Sequence, residues 1–280
     1  MQEVATGYGL IVGPVWDPAK GLYFSDVRDG GIHLLGRDDT VTTVLTKRRG
    51  VGGIALHAEG GLVFGGRDIS WSPLDGGEGR VLLNGEAIPG STGFNDLTTD
   101  AAGRVYVGSL AFRVFGGETP RPGGLHVIDL DGAMRTVSDG VMLTNGLGFS
   151  PDGTRLYHSD TRSRVVRVYD MTPDGGVSSW RTFVDFDGGA DGLKVATDGS
   201  VWVADAQGGR VAVYEPDGTL RQDLAVPLPM VTSLCFGGDD LRDLYVVTGS
   251  DRGPRETCGT VFRTRVDVPG QPLPLARVKV

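Results

Sequence analysis

The chain has 280 residues, a formal net charge of −8 and a pI near 5.0. So acidic a chain lacks the basic face that nucleic-acid-binding proteins use to neutralise phosphates, and we expect no nucleic-acid partner. The 46 Gly and 15 Pro residues are too many for a helical protein, and they lie between short apolar runs. The chain is long enough to bury a large core, and we predict a single domain over residues 1–280.

A repeating unit runs through the chain: a short apolar strand, a turn rich in Asp and Gly, a second apolar strand and further alternating strand. Its six copies start near Val15, Ile54, Leu97, Leu147, Leu193 and Leu234. These starting points lie roughly 40 to 50 residues apart, the period expected when each repeat forms one four-stranded sheet and the sheets are arranged radially. The repeat predicts an all-β fold, a six-bladed β-propeller.

Other features of the sequence indicate no special compartment or cofactor. The N-terminus lacks a basic start followed by a long apolar stretch, and no apolar run could span a bilayer, so we expect a cytoplasmic protein without a membrane partner. Cys235 and Cys258 have no CxxC spacing and are predicted to be buried thiols. The basic run Lys47, Arg48 and Arg49 is predicted to be a solvent-exposed loop. The tryptophans are predicted to pack in the blades: Trp16, Trp71, Trp180 and Trp202.

Three polar residues share one position in successive repeats. Asn95, Asn145 and Asp191 each precede the first apolar residue of a unit by two places, and the turn glycines Gly103, Gly153 and Gly199 follow eight places later. The first strand of each propeller blade lines the central channel, so the three side chains are predicted to converge at one end of that channel.

The same register extends to Val12, Gly52 and Thr232 in the other repeats. One Asp and two Asn supply oxygen ligands of the kind that Ca²⁺ or Mg²⁺ accepts, so the pattern predicts a metal site. A second interpretation stays open, because Asn-Gly and Asp-Gly pairs are also favoured wherever a chain turns into a strand. In that case Asn145 and Asp191 would be turn residues only.

Five segments in order resemble the gluconolactonase and senescence-marker-protein family, also called the regucalcin-like family. They are GPVWD (13–17), FNDLTTDAAGRVYVGSL (94–110), TNGLGFSPDGTRLYHSDT (144–161), DGLKVATDGSVWVADAQGGRVAVYEPDG (191–218) and TSLCFGGDDLRDLYVVTGS (232–250). The resemblance implies a six-bladed propeller with one divalent cation at the channel mouth. It also implies hydrolysis of sugar lactones or, in relatives, of other esters and organophosphates.

The resemblance assigns roles to the three polar residues. Asn145 and Asp191 fall on metal-ligand positions, and Asp191 also falls on the position of the general base. Asn95 falls on a position that contacts the substrate or the metal. The cation expected there is one of Ca²⁺, Mg²⁺, Mn²⁺ or Zn²⁺.

Two positions depart from the family pattern. Val12 replaces the metal-binding Glu of a GEGPVWD motif, and Gly93 replaces an Arg that contacts sugar hydroxyls in sugar lactonases. Val cannot bind a cation, so the ligand set loses one carboxylate and much of its attraction for a dication. Two acidic residues are weighed as replacements against a role as solvated loop residues: Glu118, in an insertion expected to cap the mouth, and Asp187.

These observations predict a divalent-metal-dependent hydrolase of the lactonase type. Its substrate is expected to be a small cyclic ester less polar than an aldonolactone, and other than gluconolactone itself. One alternative is a non-hydrolytic enzyme, an isomerase, eliminase or cyclase that uses Asp191 as its base. The other is a non-catalytic propeller that binds a small molecule, because the fold alone does not define the reaction.

Overall fold

The computed structural model of the protein describes residues 1–46 and 48–280. Its strands form six four-stranded antiparallel sheets, and these are the blades of a β-propeller, so the predicted fold is confirmed. Lys47 of the basic run lies outside the described residues. Its neighbour Arg48 is only partly exposed, because its guanidinium packs 5.2 Å from the Phe64 ring centroid.

The strands follow the repeats in chain order. The chain starts with β1 (Gln2–Tyr8), and blade 1 contains β2 (Ile11–Asp17), β3 (Gly21–Asp26), β4 (Ile32–Gly36) and β5 (Val41–Leu45). Blade 2 contains β6 (Ile54–Leu56), β7 (Leu62–Phe64), β8 (Ile69–Ser72) and β9 (Arg80–Leu83), followed by a 3₁₀ turn at Gly85–Ala87. Blade 3 contains β10 (Gly93–Thr99), β11 (Val105–Leu110), β12 (Gly123–Ile128) and β13 (Met134–Val141).

The last three blades have the same plan. Blade 4 contains β14 (Thr144–Phe149), β15 (Arg155–Asp160), β16 (Val165–Asp170) and β17 (Arg181–Asp185). Blade 5 contains β18 (Ala190–Val195), β19 (Val201–Asp205), β20 (Arg210–Tyr214) and β21 (Leu220–Ala225). Blade 6 contains β22 (Val231–Gly237), β23 (Asp243–Thr248) and β24 (Gly259–Arg265), and β1 is its fourth strand.

The N-terminal strand closes the ring, which the repeat pattern did not predict. β1 pairs with β24 from Gln2 opposite Arg263 to Tyr8 opposite Gly259. The hydroxyls of Thr6 and Thr260 add a side-chain hydrogen bond of 2.7 Å. The last blade is thereby built from both ends of the chain, and the N-terminal strand covers the edge that β24 would otherwise expose.

The Asp and Gly of the repeats form the hairpin turns that the sequence indicated. The carboxylates of Asp152, Asp198 and Asp217 each accept a hydrogen bond from the backbone N–H two residues later. The next residue in each turn is a glycine with positive φ: Gly153 (68°), Gly199 (84°) and Gly218 (90°). Side-chain hydrogen bonding and a residue free of a Cβ therefore fix these turns.

The hydrophobic core consists of packing between adjacent blades. Six clusters of buried side chains occur among the described residues, and each joins two neighbouring sheets around the ring. Trp202 is 1% exposed and packs between blades 5 and 6, as predicted. The same prediction is wrong for Trp180, which lies just before the outermost strand of blade 4 and is 42% exposed. Its ring centroid lies 4.2 Å from Arg167 Cζ.

The C-terminal segment (residues 266–280) crosses one end of the channel, which we call the closed end. The Gln271 side-chain amide donates to the carbonyls of Phe149 and Val195, at the ends of the innermost strands of blades 4 and 5. The Thr99 hydroxyl of blade 3 donates to Pro274 O. Residues 270–276 therefore close this end of the channel by satisfying backbone and hydroxyl groups of three blades.

Cys235 and Cys258 are buried free thiols, as predicted. The part of the chain that the structure describes contains no helix long and apolar enough to cross a membrane.

Candidate active site

A cavity of about 380 Å³ opens at the end of the channel opposite the closed end. We call this end the mouth. Asn95, Asn145 and Asp191 all line the cavity, and so do Val12 and Thr232. The side chains that share one register in the sequence are therefore neighbours in space, in a cavity of the size typical of small-molecule sites.

Breaks in strand pairing direct the three polar side chains toward the channel. Pairing with the second strand of the blade is interrupted between Phe94 and Leu97, between Thr144 and Leu147, and between Ala190 and Leu193. The unpaired residues of these bulges begin with Asn95, Asn145 and Asp191. Bulges of this kind redirect side chains and are common beside active sites.

Close packing, and not a turn, explains the glycines after Asn145 and Asp191. Gly146 and Gly192 lie inside strands β14 and β18, and neither has a positive φ. A Cβ built on Gly146 would overlap the backbone of Leu193, and one built on Gly192 would overlap Ser233. The glycines let adjacent blades approach closely at the bulges, so turn chemistry does not account for these two pairs.

The remaining members of the predicted ring differ in how they meet the cavity. Val12 lines it although the chain still pairs there, opposite Ser25. Gly52 leaves space that the Asn95 side chain fills, since a Cβ at Gly52 would overlap the Asn95 side-chain oxygen. The Thr232 hydroxyl is buried and donates to the carbonyls of Ile11 and Val247.

Hydrogen bonds fix the two asparagines and connect three blades. Asn95 Nδ2 donates to Thr144 O (2.7 Å) and to Asn145 Oδ1 (2.6 Å). Asn145 Nδ2 donates to Thr161 Oγ1 (2.6 Å), and that hydroxyl donates to Ala190 O (2.6 Å). Each amide nitrogen is thus bound to protein. Asn145 Oδ1 also accepts the bond from Asn95 Nδ2, so Asn95 Oδ1 and the remaining lone pair of Asn145 Oδ1 are left for an incoming group.

Asp191 lies in an unfavourable electrostatic environment for a carboxylate. Burial and, secondarily, the negative charge of Asp96 raise the pKa of Asp191 well above its usual range, while a hydrogen bond from the Gly192 N–H acts in the opposite direction. Burial also raises the pKa of Asp96, and the Lys194 ammonium partly offsets this effect. Asp191 therefore lines the mouth cavity with a second carboxyl group, Asp96, near enough to affect its pKa, and the buried Lys194 lies beside Asp96.

The donor set at the mouth suits a hard divalent cation. It offers one carboxylate and two amide oxygens, and oxygen atoms of these types are the ligands that Ca²⁺ and Mg²⁺ prefer. Within residues 1–46 and 48–280 there is no group of three or more His, Cys, Asp or Glu placed to hold a metal. Asp191 would have to be the only acidic ligand, and a cation beside it would relieve the cost of its buried charge.

The structure gives a physical reason for Gly93 and identifies an arginine beside it. Gly93 has a φ of 145°, and a Cβ there would lie 2.7 Å from Gly66 O and 3.5 Å from Arg67 Cα. An arginine at position 93 would therefore strain the backbone and collide with blade 2. Arg67 itself lines the cavity, at an exposed position where its guanidinium pairs with Glu86 at 2.6 Å.

Neither acidic residue weighed as a replacement ligand lines the cavity. Glu118 accepts a hydrogen bond from the Arg113 N–H and forms an exposed ion pair with the same residue. Asp187 is exposed. The surrounding insertion does reach the mouth, because residues 112–115 line the cavity.

Sequence reasoning missed Asp96, Lys194 and Thr161. Asp96 carried a detectable signal: it occupies the place that is glycine after the corresponding residues of blades 2, 4 and 5, namely Gly53, Gly146 and Gly192. Lys194 and Thr161 carried no such signal, because their roles depend on contacts between blades. Lys194 of blade 5 acts on Asp96 of blade 3, and Thr161 of blade 4 joins Asn145 to Ala190 of blade 5.

A six-bladed propeller with oxygen donors converging at one channel mouth has the architecture of propeller enzymes that act on small molecules. The sequence model of the family described as "SMP-30/Gluconolactonase/LRE-like region" matches residues 12–250. This chain belongs to that family.

Curated relatives and a solved structure agree with this assignment. Pentonolactonase XacC of Haloferax volcanii is 32% identical over 96% of this chain and 95% of its own length. The 6-deoxy-6-sulfogluconolactonase of Pseudomonas putida is 31% identical over 94% of this chain and 93% of its own. The structure of a luciferin-regenerating enzyme is similar with a TM-score of 0.90 and 25% identity, over 99% of both chains.

Proposed function

We propose that this protein is a hydrolase of the lactonase type that opens a small cyclic ester with the help of one divalent cation. The observation that carries this proposal is the convergence of Asn95, Asn145 and Asp191 in one cavity of suitable size. Relatives named as lactonases support the class of reaction. The oxygen donors at the mouth support the cation.

In this proposal the three polar residues of the mouth have different roles. Asp191 and Asn145 would hold the cation through their side-chain oxygens, and Asn95 would orient the substrate or complete the ligand set. A bound divalent cation would polarise the ester carbonyl. The Asp191 carboxylate would also accept a proton from the attacking water.

The substrate would be less polar than an aldonolactone. Gly93 offers no side chain to sugar hydroxyls and its backbone excludes an arginine there, while the neighbouring Arg67 guanidinium is paired with Glu86. The cavity walls near the mouth include the apolar side chains of Leu10, Val12, Leu143 and Met230. Gluconolactone, whose hydroxyl groups require hydrogen-bond partners, would be a poor substrate.

Thermal unfolding with added metal tests the cation. In chelator-treated protein, Ca²⁺, Mg²⁺, Mn²⁺ or Zn²⁺ should raise the melting temperature, since a ligand bound only by the folded state stabilises it. The shift should disappear in Asp191→Asn and persist in the matched variant Asp187→Asn, whose carboxylate is exposed and outside the cavity. If no metal shifts the melting temperature of the unmodified protein, the metal-dependent mechanism is wrong.

Val12→Glu tests the ligand ring directly. The substitution should return a second carboxylate to the cavity and tighten divalent-metal binding about tenfold or more, because a dication is attracted strongly to each added charge. Calorimetric titration of the chelator-treated variant measures this change. An affinity equal to that of the unmodified protein would show that Val12 does not belong to the ring.

A panel of lactones followed by base titration tests the reaction. Ring opening releases one acid per lactone, so consumption of base at constant pH should match loss of substrate. Substrate loss without base consumption would identify the isomerase, eliminase or cyclase alternative. Binding of lactones without any turnover would identify a non-catalytic propeller.

A further inference from the structure

We infer that the substrate is a cyclic ester with an apolar substituent, and that Phe115 determines specificity by covering that substituent. The inference rests on the proposed function for its ester group and extends it to the substrate class. It concerns the segment of residues 112–115, which we call the lid, between β11 and β12 of blade 3.

The lid extends over the channel mouth. Phe112 is buried against blade 3, where its carbonyl accepts a hydrogen bond from the Thr92 hydroxyl. Three residues later, Phe115 reaches blade 1, and the Arg28 guanidinium lies 5.8 Å from its ring centroid. Arg28 is itself held by Asp251 of blade 6 at 2.6 Å. Since blades 1 and 3 are not neighbours, the lid passes over part of the opening.

Phe115 has a solvent-exposed ring that a bound ligand could cover. Its side chain is 67% exposed, the highest value among the large apolar side chains of the described residues. It nevertheless lines the cavity. When an apolar group of a ligand covers an aromatic ring at the edge of a concave site, the apolar surface removed from water contributes favourably to the binding free energy.

The hydroxyl groups of the cavity wall are already committed to the protein. The Thr92 hydroxyl donates to the carbonyls of Leu110 and Phe112. The hydroxyls of Thr161 and Thr232 also donate to backbone carbonyls. None of these three donors is available for the hydroxyls of a sugar, whereas an apolar substituent needs no hydrogen-bond partner.

The polar and apolar parts of the cavity are spatially ordered. Asn95, Asn145 and Asp191 lie at the bulges of the innermost strands, inside the mouth. The lid lies across the opening, with Val114 and Phe115 on the cavity. A ligand that fits both parts places its ester at the three polar residues and its apolar substituent toward the lid.

Three lactones with the same six-membered ring test this assignment. δ-Valerolactone has no substituent, δ-decalactone carries a pentyl chain, and glucono-δ-lactone carries hydroxyl groups. With metal-loaded protein, kcat/KM should be highest for δ-decalactone, by about tenfold or more over δ-valerolactone, because each buried methylene adds to binding. Preference for glucono-δ-lactone, or equal values for the three, would overturn the inference while leaving lactonase activity established.

The variant Phe115→Ala tests the lid residue. The ratio of kcat/KM for δ-decalactone to that for δ-valerolactone should fall about tenfold, as the aromatic contact is lost. Leu130→Ala, which removes an exposed apolar side chain away from the cavity, should leave the ratio at the value of the unmodified protein. An unchanged ratio in Phe115→Ala would exclude Phe115 as the determinant.

Lactam analogues, which resist hydrolysis, separate failure of the inference from failure of the proposed function. Calorimetry should show 6-pentylpiperidin-2-one binding about tenfold more tightly than piperidin-2-one, and Phe115→Ala should reduce this difference. If no lactone is hydrolysed but the lactams show this preference, the proposed reaction is wrong and the substrate class stands. Equal binding of the two lactams would overturn the inference whatever the activity.

Discussion

The mouth and the closed end of the channel use the same six innermost strands in opposite ways. At the closed end, Gln271 donates to Phe149 O and Val195 O, and Pro274 O accepts from Thr99, so polar groups find partners within the chain. At the mouth, bulges direct Asn145 and Asp191 into an open cavity. Polar groups satisfied by the fold stabilise it, whereas those left facing a cavity are available for chemistry.

Removing the charge at the mouth should give the largest functional effect. Asp191→Asn should lower kcat/KM for the best lactone by about 10³-fold, because the proposed general base and only acidic metal ligand is lost. Its melting temperature without metal should stay at or above that of the unmodified protein, since burial disfavours the Asp191 carboxylate. Activity assays and thermal unfolding of the same preparation check both parts.

The matched control for this comparison is Asp187→Asn, which changes an exposed acid four residues earlier. It should retain kcat/KM within about twofold, as expected for a surface change away from the cavity. Equal activity loss in both variants would show that the mouth is not the site of the reaction.

Packing between blades at the mouth should have the largest effect on stability. In Gly146→Ala the new methyl group would overlap Leu193 N of the next blade, so the free energy of unfolding should fall by about 3 kcal/mol. Gly189→Ala is a suitable control, because the nearest atoms to its new Cβ lie at 3.4 Å. Denaturant unfolding compares the two. A similar stability in both variants would contradict the close approach of blades 4 and 5.

Acid should lower the free energy of unfolding through His126, which lies in strand β12 of blade 3. Burial lowers the pKa of this histidine to about 4, and its ring nitrogens contact the hydroxyls of Ser109 and Thr136. The unfolded chain, with a histidine pKa of about 6.5, binds the proton more readily between these values. Stability from His126 is therefore complete above pH about 6.5 and is lost as the pH falls toward 4, by about 2 to 3 kcal/mol.

His126→Gln isolates this contribution. Buried His158, whose pKa burial lowers to about 3, acts in the same direction and is present in both proteins. Denaturant unfolding between pH 7 and 4 should show a smaller pH dependence in the variant than in the unmodified protein. Identical slopes would show that His126 remains accessible to protons in the folded state.

The smallest of these effects is expected at the closed end. Gln271→Ala removes two hydrogen bonds and should reduce the free energy of unfolding by about 1 to 2 kcal/mol. Because Gln271 does not line the mouth cavity, kcat/KM should remain within about twofold. A large loss of activity with little loss of stability would show that the two ends are coupled.

Much of the fold could be predicted from the sequence, because its signals are local. Alternating apolar residues and Asp-Gly turns specify each hairpin, and their recurrence specifies the number of blades. The shared register of Asn95, Asn145 and Asp191 predicted a common location, and the three line one cavity. The fourth strand of blade 6 escaped prediction, since β1 pairs with β24 from the other end of the chain.

The sequence by itself determined the β-propeller, the family and the positions of three polar side chains, because period and register repeat within each blade. Only the tertiary structure decided how the Asp96 charge, with Lys194 beside it, acts on Asp191, how Phe115 reaches Arg28, and which end the C-terminal segment closes. These features depend on contacts between residues far apart in the chain. Their geometry and electrostatics are set by the packing of whole blades, which no short sequence pattern contains.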